Sequence, residues 1–366
     1  MTRIAVLGGG IVGLGVTWHL ARRGFRVVVV DTELPGRSSS VAAGMISAAA
    51  EIDHGEPDLW DLTSRAQRMW PGFATDLERS SGRPAGLRRT GTLLVAADRD
   101  EDARLERRLR LLRDVDTRVE LLDRAQLRRR EPALAATVRR AAWLPDDFCV
   151  DRSTVTGALR AAAGRAGAQF IDGTGSLVDV GGQVVGVRVA DEVIHASHVV
   201  LCAGWRSTTV APSGLLRHLT DAASGLRPVK GELIDLRLPT PAVHAMIRSR
   251  VDRVPIYLVP HDEHHLTVGA TSEEVGADTT TTVRAALDLL TAACAVVPEL
   301  RDAAIIAHRV GLRPAMADNR PLLGVSPAPG LTIATGHYRH GFLLAPVTAE
   351  VVGDHVIRSL DPGGPS

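Results

Sequence analysis

The chain opens on four apolar residues, IAVL (4–7), then three glycines, then IVGLGVTWHLA, in which nearly every position is apolar or small. A second unbroken apolar run, RVVVVD (26–31), follows the break at Gly24. Short apolar runs without alternation predict strands buried on both faces, and the longer stretch between them predicts a buried helix. The first thirty residues therefore read as a βαβ unit whose helix ends near Gly24.

Downstream the pattern changes. Residues 36–50, GRSSSVAAGMISAAA, are small and polar, then small and apolar, and predict a loop leading into a helix. Residues 58–81 carry Trp60, Leu62, Met69, Trp70, Phe73 and Leu77 at helical spacing. A strand is predicted at 90–97, a helix over DEDARLERRLRLLRDV, and a short helix over DRAQLRRREPAL stopped by Pro132. A helix at 153–167 precedes strands near 168–180, 184–190 and 193–201. LRPVKGELIDLRL reads as a strand. PIYLVPHDEHHLTVGAT reads as a hairpin with its polar turn at 261–265. A helix at 282–296 follows. LTIATGHYRHGFLLAPVTAEVVGDHVIRSL reads as strand, loop and closing helix, and the tail DPGGPS as disorder. The fold class is α/β (α+β overall), with two domains interleaved in sequence.

Composition narrows the function. With 43 basic and 42 acidic residues the net charge is +1, which argues against nucleic acid or an anionic membrane as partner. Three cysteines, Cys149, Cys202 and Cys294, lack zinc-type or disulfide spacing and point to a reducing compartment. With no signal-peptide pattern and no long apolar span, the expectation is a soluble, cytoplasmic protein without a membrane span; homo-oligomerisation is left open. Lys230 is the only lysine in an arginine-rich chain, so runs such as RRLRLLR read as a solvated helix face.

Gly8, Gly10 and Gly13 form G-x-G-x-x-G between strand and helix, and Asp31 ends the next strand. The first glycine permits the tight turn, the second admits a pyrophosphate, and the third lets helix and strand pack closely. The helix N-terminus faces the phosphate charge, and Asp31 can accept from a ribose diol. The acidic residue argues against NADP but does not separate NAD from FAD. A second small-residue loop, Ser38, Ser39, Ser40 and the turn Ala43-Gly44-Met45, favours the longer cofactor, FAD.

These motifs, followed in order by VVLCAGWRS, RPVKGEL, YLVP, GLRP and GHYRHGFLLAP, resemble the FAD-dependent amine oxidases of the D-amino-acid oxidase superfamily, and within it the glycine oxidase branch of thiamine biosynthesis. The resemblance implies noncovalent FAD and two domains. A discontinuous FAD-binding, Rossmann-like domain with a parallel sheet would span 1–85, 145–225 and 300–366. A substrate domain with a mixed, largely antiparallel sheet would span 86–144 and 226–299. It implies cofactor contacts at Ile11, Val12, Thr32, Ser176, Gly204 and Trp205. It adds the loop His337, Tyr338, Arg339, His340, Gly341, Phe342 and Leu343. The amides of the last three would face the flavin's pyrimidine end.

The implied chemistry is oxidation of a small amine or amino acid. Hydride passes from its α-carbon to flavin N5, the imine is hydrolysed, and O2 becomes H2O2. The alternatives are a dehydrogenase that passes electrons to a quinone or other carrier, and a flavoprotein without catalysis. Arg313 would clamp the substrate carboxylate, helped by Tyr257 and Arg339. Lys230 would sit near flavin N1 or C4a. The GHYRHG cluster then needs no metal, and HDEHH (261–265) reads as an exposed hairpin turn. Three residues depart from the branch: Ser272 stands where a methionine lines the pocket, Ala315 replaces a glycine, and His340 replaces an asparagine. These changes make the rim more polar and leave the substrate open between glycine, sarcosine, a D-amino acid or a specialised amine.

Overall fold

The computed structural model describes residues 2–51, 57–97, 99–115, 117–210, 223, 225–325 and 328–360. The predicted βαβ unit is present as strand Arg3–Leu7, helix Ile11–Ala21 and strand Arg26–Asp31. The two strands pair in parallel, and their interiors are almost wholly buried.

They lie in a six-stranded sheet ordered Leu322–Val325, Leu331–Thr335, His198–Leu201, Arg3–Leu7, Arg26–Asp31, Gln169–Asp172. All its neighbours are parallel except the edge strand Leu322–Val325. One face packs on helices Ile11–Ala21, Pro57–Ser81, Arg152–Arg165 and Ala345–Leu360, around Trp18 and Trp70. Each such buried aromatic contributes about 2–3 kcal/mol. The other face packs on an antiparallel sheet of Gly175–Val180, Gln183–Val189 and Glu192–His195.

The second large sheet has eight strands. Its order is Ala304–Ala315, Arg227–Arg237, His265–Gly269, Val254–Pro260, Met246–Val251, Thr92–Val95, Ala141–Leu144, Glu120–Leu122. It is antiparallel apart from the contact between Met246–Val251 and Thr92–Val95. Helix Val283–Val296 covers its outer face with Leu289, Ala292, Ala293 and Val296. The inner face looks toward the parallel sheet.

Three expectations need correction. Residues 36–50 form no α-helix: a single 3-10 turn, Ser38–Ser40, precedes the two-residue strand Met45–Ile46. That strand pairs with Phe148–Val150, and tertiary pairing overrides the weak helical preference of small residues. The stretches 168–180 and 193–201 each hold two strands, separated at turns. Strand Ala304–Ala315, expected with the FAD-binding part that begins at 300, instead runs antiparallel to Arg227–Arg237 along nearly its whole length. The tail 361–366 lies outside the described residues.

Candidate active site

One long cavity of about 390 Å³ runs between the two large sheets, from the glycine turn to the inner face of the eight-stranded sheet. At the first end, Gly8 has φ +107, which the tight turn demands. Gly13 does not line the cavity. A Cβ there would collide with the carbonyl of Gly8, so it serves as the packing glycine. Helix Ile11–Ala21 has no side-chain cap from Gly10 and no acid in its first turn. Its first amide, Ile11 N, donates to Ser39 Oγ at 3.0 Å. A helix N-terminus facing a cavity suits a phosphate.

Asp31 lines the cavity, but its carboxylate already accepts from Gly9 N and from Arg37 Nη1, both at 2.7 Å. Arg37 also reaches the Gly9 carbonyl. Arg37 thus locks the glycine loop, a role the sequence did not disclose. Thr32, Val12, Ser38, Ala43, Gly44, Met45, Gly204 and Trp205 all line the cavity. Ser40 does not, and its hydroxyl donates to Glu33 at 3.0 Å. Ser176 does not either, because Gly173, Thr174 and Gly175 precede it along the wall.

At the other end, Gly336 opens the loop that precedes helix Ala345–Leu360. His337 is buried and shares a 2.9 Å hydrogen bond with Thr348, fixing the loop to that helix. Burial pushes its pKa down to about 3, so the ring is neutral. Trp70 Nε1 donates to the Leu343 carbonyl at 3.0 Å. The amides of Gly341, Phe342 and Leu343 take no backbone partner among the described residues, and all three residues line the cavity. A cavity with one helix N-terminus near each end, joined by a small-residue wall, fits an extended dinucleotide such as FAD.

The ceiling is the inner face of the eight-stranded sheet. Arg313 and Tyr257 both lie flat across it because two neighbours are glycines. A Cβ on Gly231 would strike the Arg313 guanidinium, and one on Gly269 would strike the Tyr257 ring and hydroxyl. The two side chains converge there. Arg313 Nη1 also donates to the Thr271 carbonyl at 3.0 Å. Burial raises the Tyr257 pKa, while the adjacent Arg313 charge opposes that rise. The phenol therefore stays protonated and can donate.

Lys230 does not reach this site. Strand residues alternate between faces, and Gly231 faces the cavity, so Lys230 points outward. It is 1% exposed, and its Nζ meets Asp278 at 2.7 Å and Glu232 at 3.5 Å. The expectation of a cation beside the flavin is corrected accordingly. Ser272 does line the cavity, with its Oγ 3.4 Å from the Tyr338 hydroxyl. Tyr338 itself has φ 48, and its amide donates to the Pro314 carbonyl at 2.8 Å.

A cluster absent from the sequence reading completes the wall. Glu51, with its side chain 8% exposed, pairs with Arg248 Nη1 and lies 3.2 Å from Arg339 Nε. Against the cost of burial, these two guanidinium groups hold its carboxyl down at about 2. It is therefore ionised and unsuited to act as a base. The sequence signal was faint: one acid after AAA, and Arg248 on the adjacent strand in register with Tyr257. The cysteines are free. Cys202 lines the cavity beneath the glycine turn, but burial pushes its thiol up to about 12, which leaves it a poor nucleophile. The HDEHH segment forms the predicted turn, although His261 is buried against Thr267 rather than exposed. No helix among the described residues is long and apolar enough to cross a membrane.

Residues 3–355 match the family model described as FAD dependent oxidoreductase. A bifunctional ThiO/ThiG protein of Trichormus variabilis is 31% identical over 98% of this chain, and the chain spans about half, 53%, of that relative. Glycine oxidase of Geobacillus kaustophilus is 31% identical, over 97% of this chain and 93% of that protein. A crystal structure under that name superposes with a TM-score of 0.86 at 29% identity, covering 98% of this chain and 95% of that one. The crystal structure of iminodiacetate oxidase from Chelativorans gives a TM-score of 0.85 at 29% identity, over 97% and 95% of the two chains.

Proposed function

The chain belongs to the family of FAD-dependent oxidoreductases, and on that premise we propose that it oxidises the C–N bond of a small α-amino acid, with oxygen as final acceptor. Overall, amino acid, water and O2 would give the oxo acid, ammonia or an amine, and H2O2. The observation that carries this reading is the convergence of Arg313 and Tyr257 on a ceiling cleared by Gly231 and Gly269. A planar guanidinium beside a phenol suits a carboxylate, which it binds through two parallel charge-assisted bonds. Likeness to glycine oxidase of G. kaustophilus supports the amine class.

FAD, when bound along the glycine turn and the 337–343 loop, would supply the two-electron acceptor. The chain's own residues would do the rest. Arg313 and Tyr257 fix the carboxylate, and hence the direction of the α-carbon hydrogen, by positioning alone. Arg339 adds positive charge at the same end. Apolar walls and the Ser272–Tyr338 contact at the rim limit water. Among the described residues, the carboxylate that lines the cavity at the ceiling is Glu51, and it is held near 2, so it takes no proton at neutral pH. The amine must therefore arrive neutral, and kcat/KM should rise with pH until the substrate's own ammonium has titrated.

The test is an oxygen-electrode and peroxide assay on purified holoenzyme with glycine, sarcosine and D-amino acids beside the matching amines that lack a carboxylate. Peroxide from the carboxylated set alone is expected. Turnover with a dye or quinone but no peroxide would replace the oxidase by a dehydrogenase. Equal turnover of the decarboxylated amines would remove the clamp.

A further inference from the structure

Two cavity-lining side chains, Arg248 and His340, are given no substrate contact in the reading above. Arg248 pairs in register with Tyr257 on the adjacent strand, so both project from the same sheet face. Glu51 is its one hydrogen-bond partner among the described residues, and a quarter of the Arg248 side chain, 25%, stays exposed. His340 also lines the cavity. It is 3% exposed, and neither of its ring nitrogens has a hydrogen-bond partner among the described residues. Buried polar groups are nearly always satisfied, so a cavity-facing ring left unmade marks a contact reserved for a ligand.

His340 belongs to the same cluster. Burial pushes its pKa down to about 4, opposed by Glu51 and reinforced by Arg339 and Arg248. At neutral pH it carries one N–H donor and no charge.

The charge count at this end points the same way. Among the described residues that line this end of the cavity, Arg313, Arg248 and Arg339 outnumber the one carboxylate, Glu51. Two strands, Val254–Pro260 and His265–Gly269, separate the strand of Arg248 from the strand over which the Arg313 head lies. Neighbouring strands are about 4.8 Å apart, so the two anchoring strands stand about 14 Å from one another. The gap suits two anionic groups joined by a few bonds rather than glycine alone.

We propose that Arg248 and His340 form a second anion subsite, so that the preferred substrate is an amino acid bearing a second carboxylate. This rests on Arg313 and Tyr257 holding the first carboxylate. Arg248 gives the free edge of its guanidinium, His340 one ring N–H, and Glu51 fixes Arg248 without cancelling the whole charge of the cluster. It also assigns a task to the one loop residue that departs from the glycine oxidase pattern.

The test needs no turnover. Diglycolate and methoxyacetate share an ether skeleton that cannot be oxidised as an amine, and they differ in the second carboxylate. Each is titrated into holoenzyme at low ionic strength, with the change in flavin absorbance as readout. Diglycolate should bind at least about tenfold tighter, the usual worth of a charge-assisted pair. Salt should shrink that ratio. In Arg248→Gln the ratio should fall to near one, and in His340→Phe it should fall several-fold. Arg248→Lys, which keeps the charge and serves if the glutamine variant does not fold, should retain part of it. Equal affinities in the wild type, or a ratio unchanged in Arg248→Gln or in both Arg248→Lys and His340→Phe, overturn the subsite. Failure of both ethers to bind, or binding indifferent to Arg313→Gln, strikes the first clamp instead, and the proposal with it.

Discussion

At Gly231 and Gly269 a single methyl group separates a working ceiling from a blocked one. Gly231→Ala would push the Arg313 guanidinium off its place, and Gly269→Ala would displace the Tyr257 ring. Either variant should keep its flavin yet lose roughly 100-fold in kcat/KM for an amino acid, since misplacing a clamp by about an ångström costs that much. Steady-state kinetics on the purified variants checks this, and unchanged kcat/KM would mean the clamp lies elsewhere. Lys230 makes the opposite prediction. Its removal as Lys230→Met should leave the rate of flavin reoxidation within about twofold, because the ammonium faces away from the cavity. Stability should drop by about 1–3 kcal/mol, since the buried Glu232 loses one charged partner but keeps Thr282 and His308. Denaturant melts and a reoxidation trace measure the two together. Arg313, Tyr257 and Ser272 could be named from motifs because each sits in a recognisable short string. Glu51, Arg248 and Arg37 could not. Their roles arise from partners 197, 288 or six residues away in the chain, and no local pattern encodes such pairings.

Among the elements, the turn into helix Ile11–Ala21 was the most legible, since strand, glycines, helix and acid each leave a local mark. Gly13→Ala would drive a methyl group into the Gly8 carbonyl. We expect it to fold but to purify with little flavin, with FAD binding weakened at least about tenfold, as fluorescence titration would read. The 36–50 segment was misread because its small residues favour nothing strongly, and the pairing of Met45–Ile46 with Phe148–Val150 decides its path. Strand Ala304–Ala315 was misassigned for a related reason. Its first half, AIIAHRV, has no clear alternation, yet its partner Arg227–Arg237 gives it a register.

On the scale of the molecule, the two ends of the chain meet around one cavity, and buried histidines link its stability to pH. His198 and His261 are pushed down to about 4, His337 to about 3 and His340 to about 4, each chiefly by burial. An unfolded histidine takes up a proton below about 6.5, while these stay neutral. Unfolding therefore binds protons, and stability is lost as pH falls from about 6.5 toward 4. Glu131, raised to about 7, and Asp147, raised to about 6, pull the other way, but they are outnumbered. The thermal midpoint should fall between pH 7 and pH 5 on the order of a few degrees per unit. His198→Gln should flatten the slope, and a flat profile in the wild type would refute the assignment. The central claim, that Arg313 and Tyr257 present an amino acid's carboxylate beneath the sheet and its α-carbon to bound flavin, meets its most direct test without oxygen. Holoenzyme and the Arg313→Gln variant are mixed anaerobically with a panel of small amino acids, and flavin bleaching is followed. The account predicts bleaching of the wild type by at least one carboxylated amine, slowed at least about 100-fold at equal concentration in Arg313→Gln. Bleaching that Arg313→Gln leaves at the wild-type rate would contradict it.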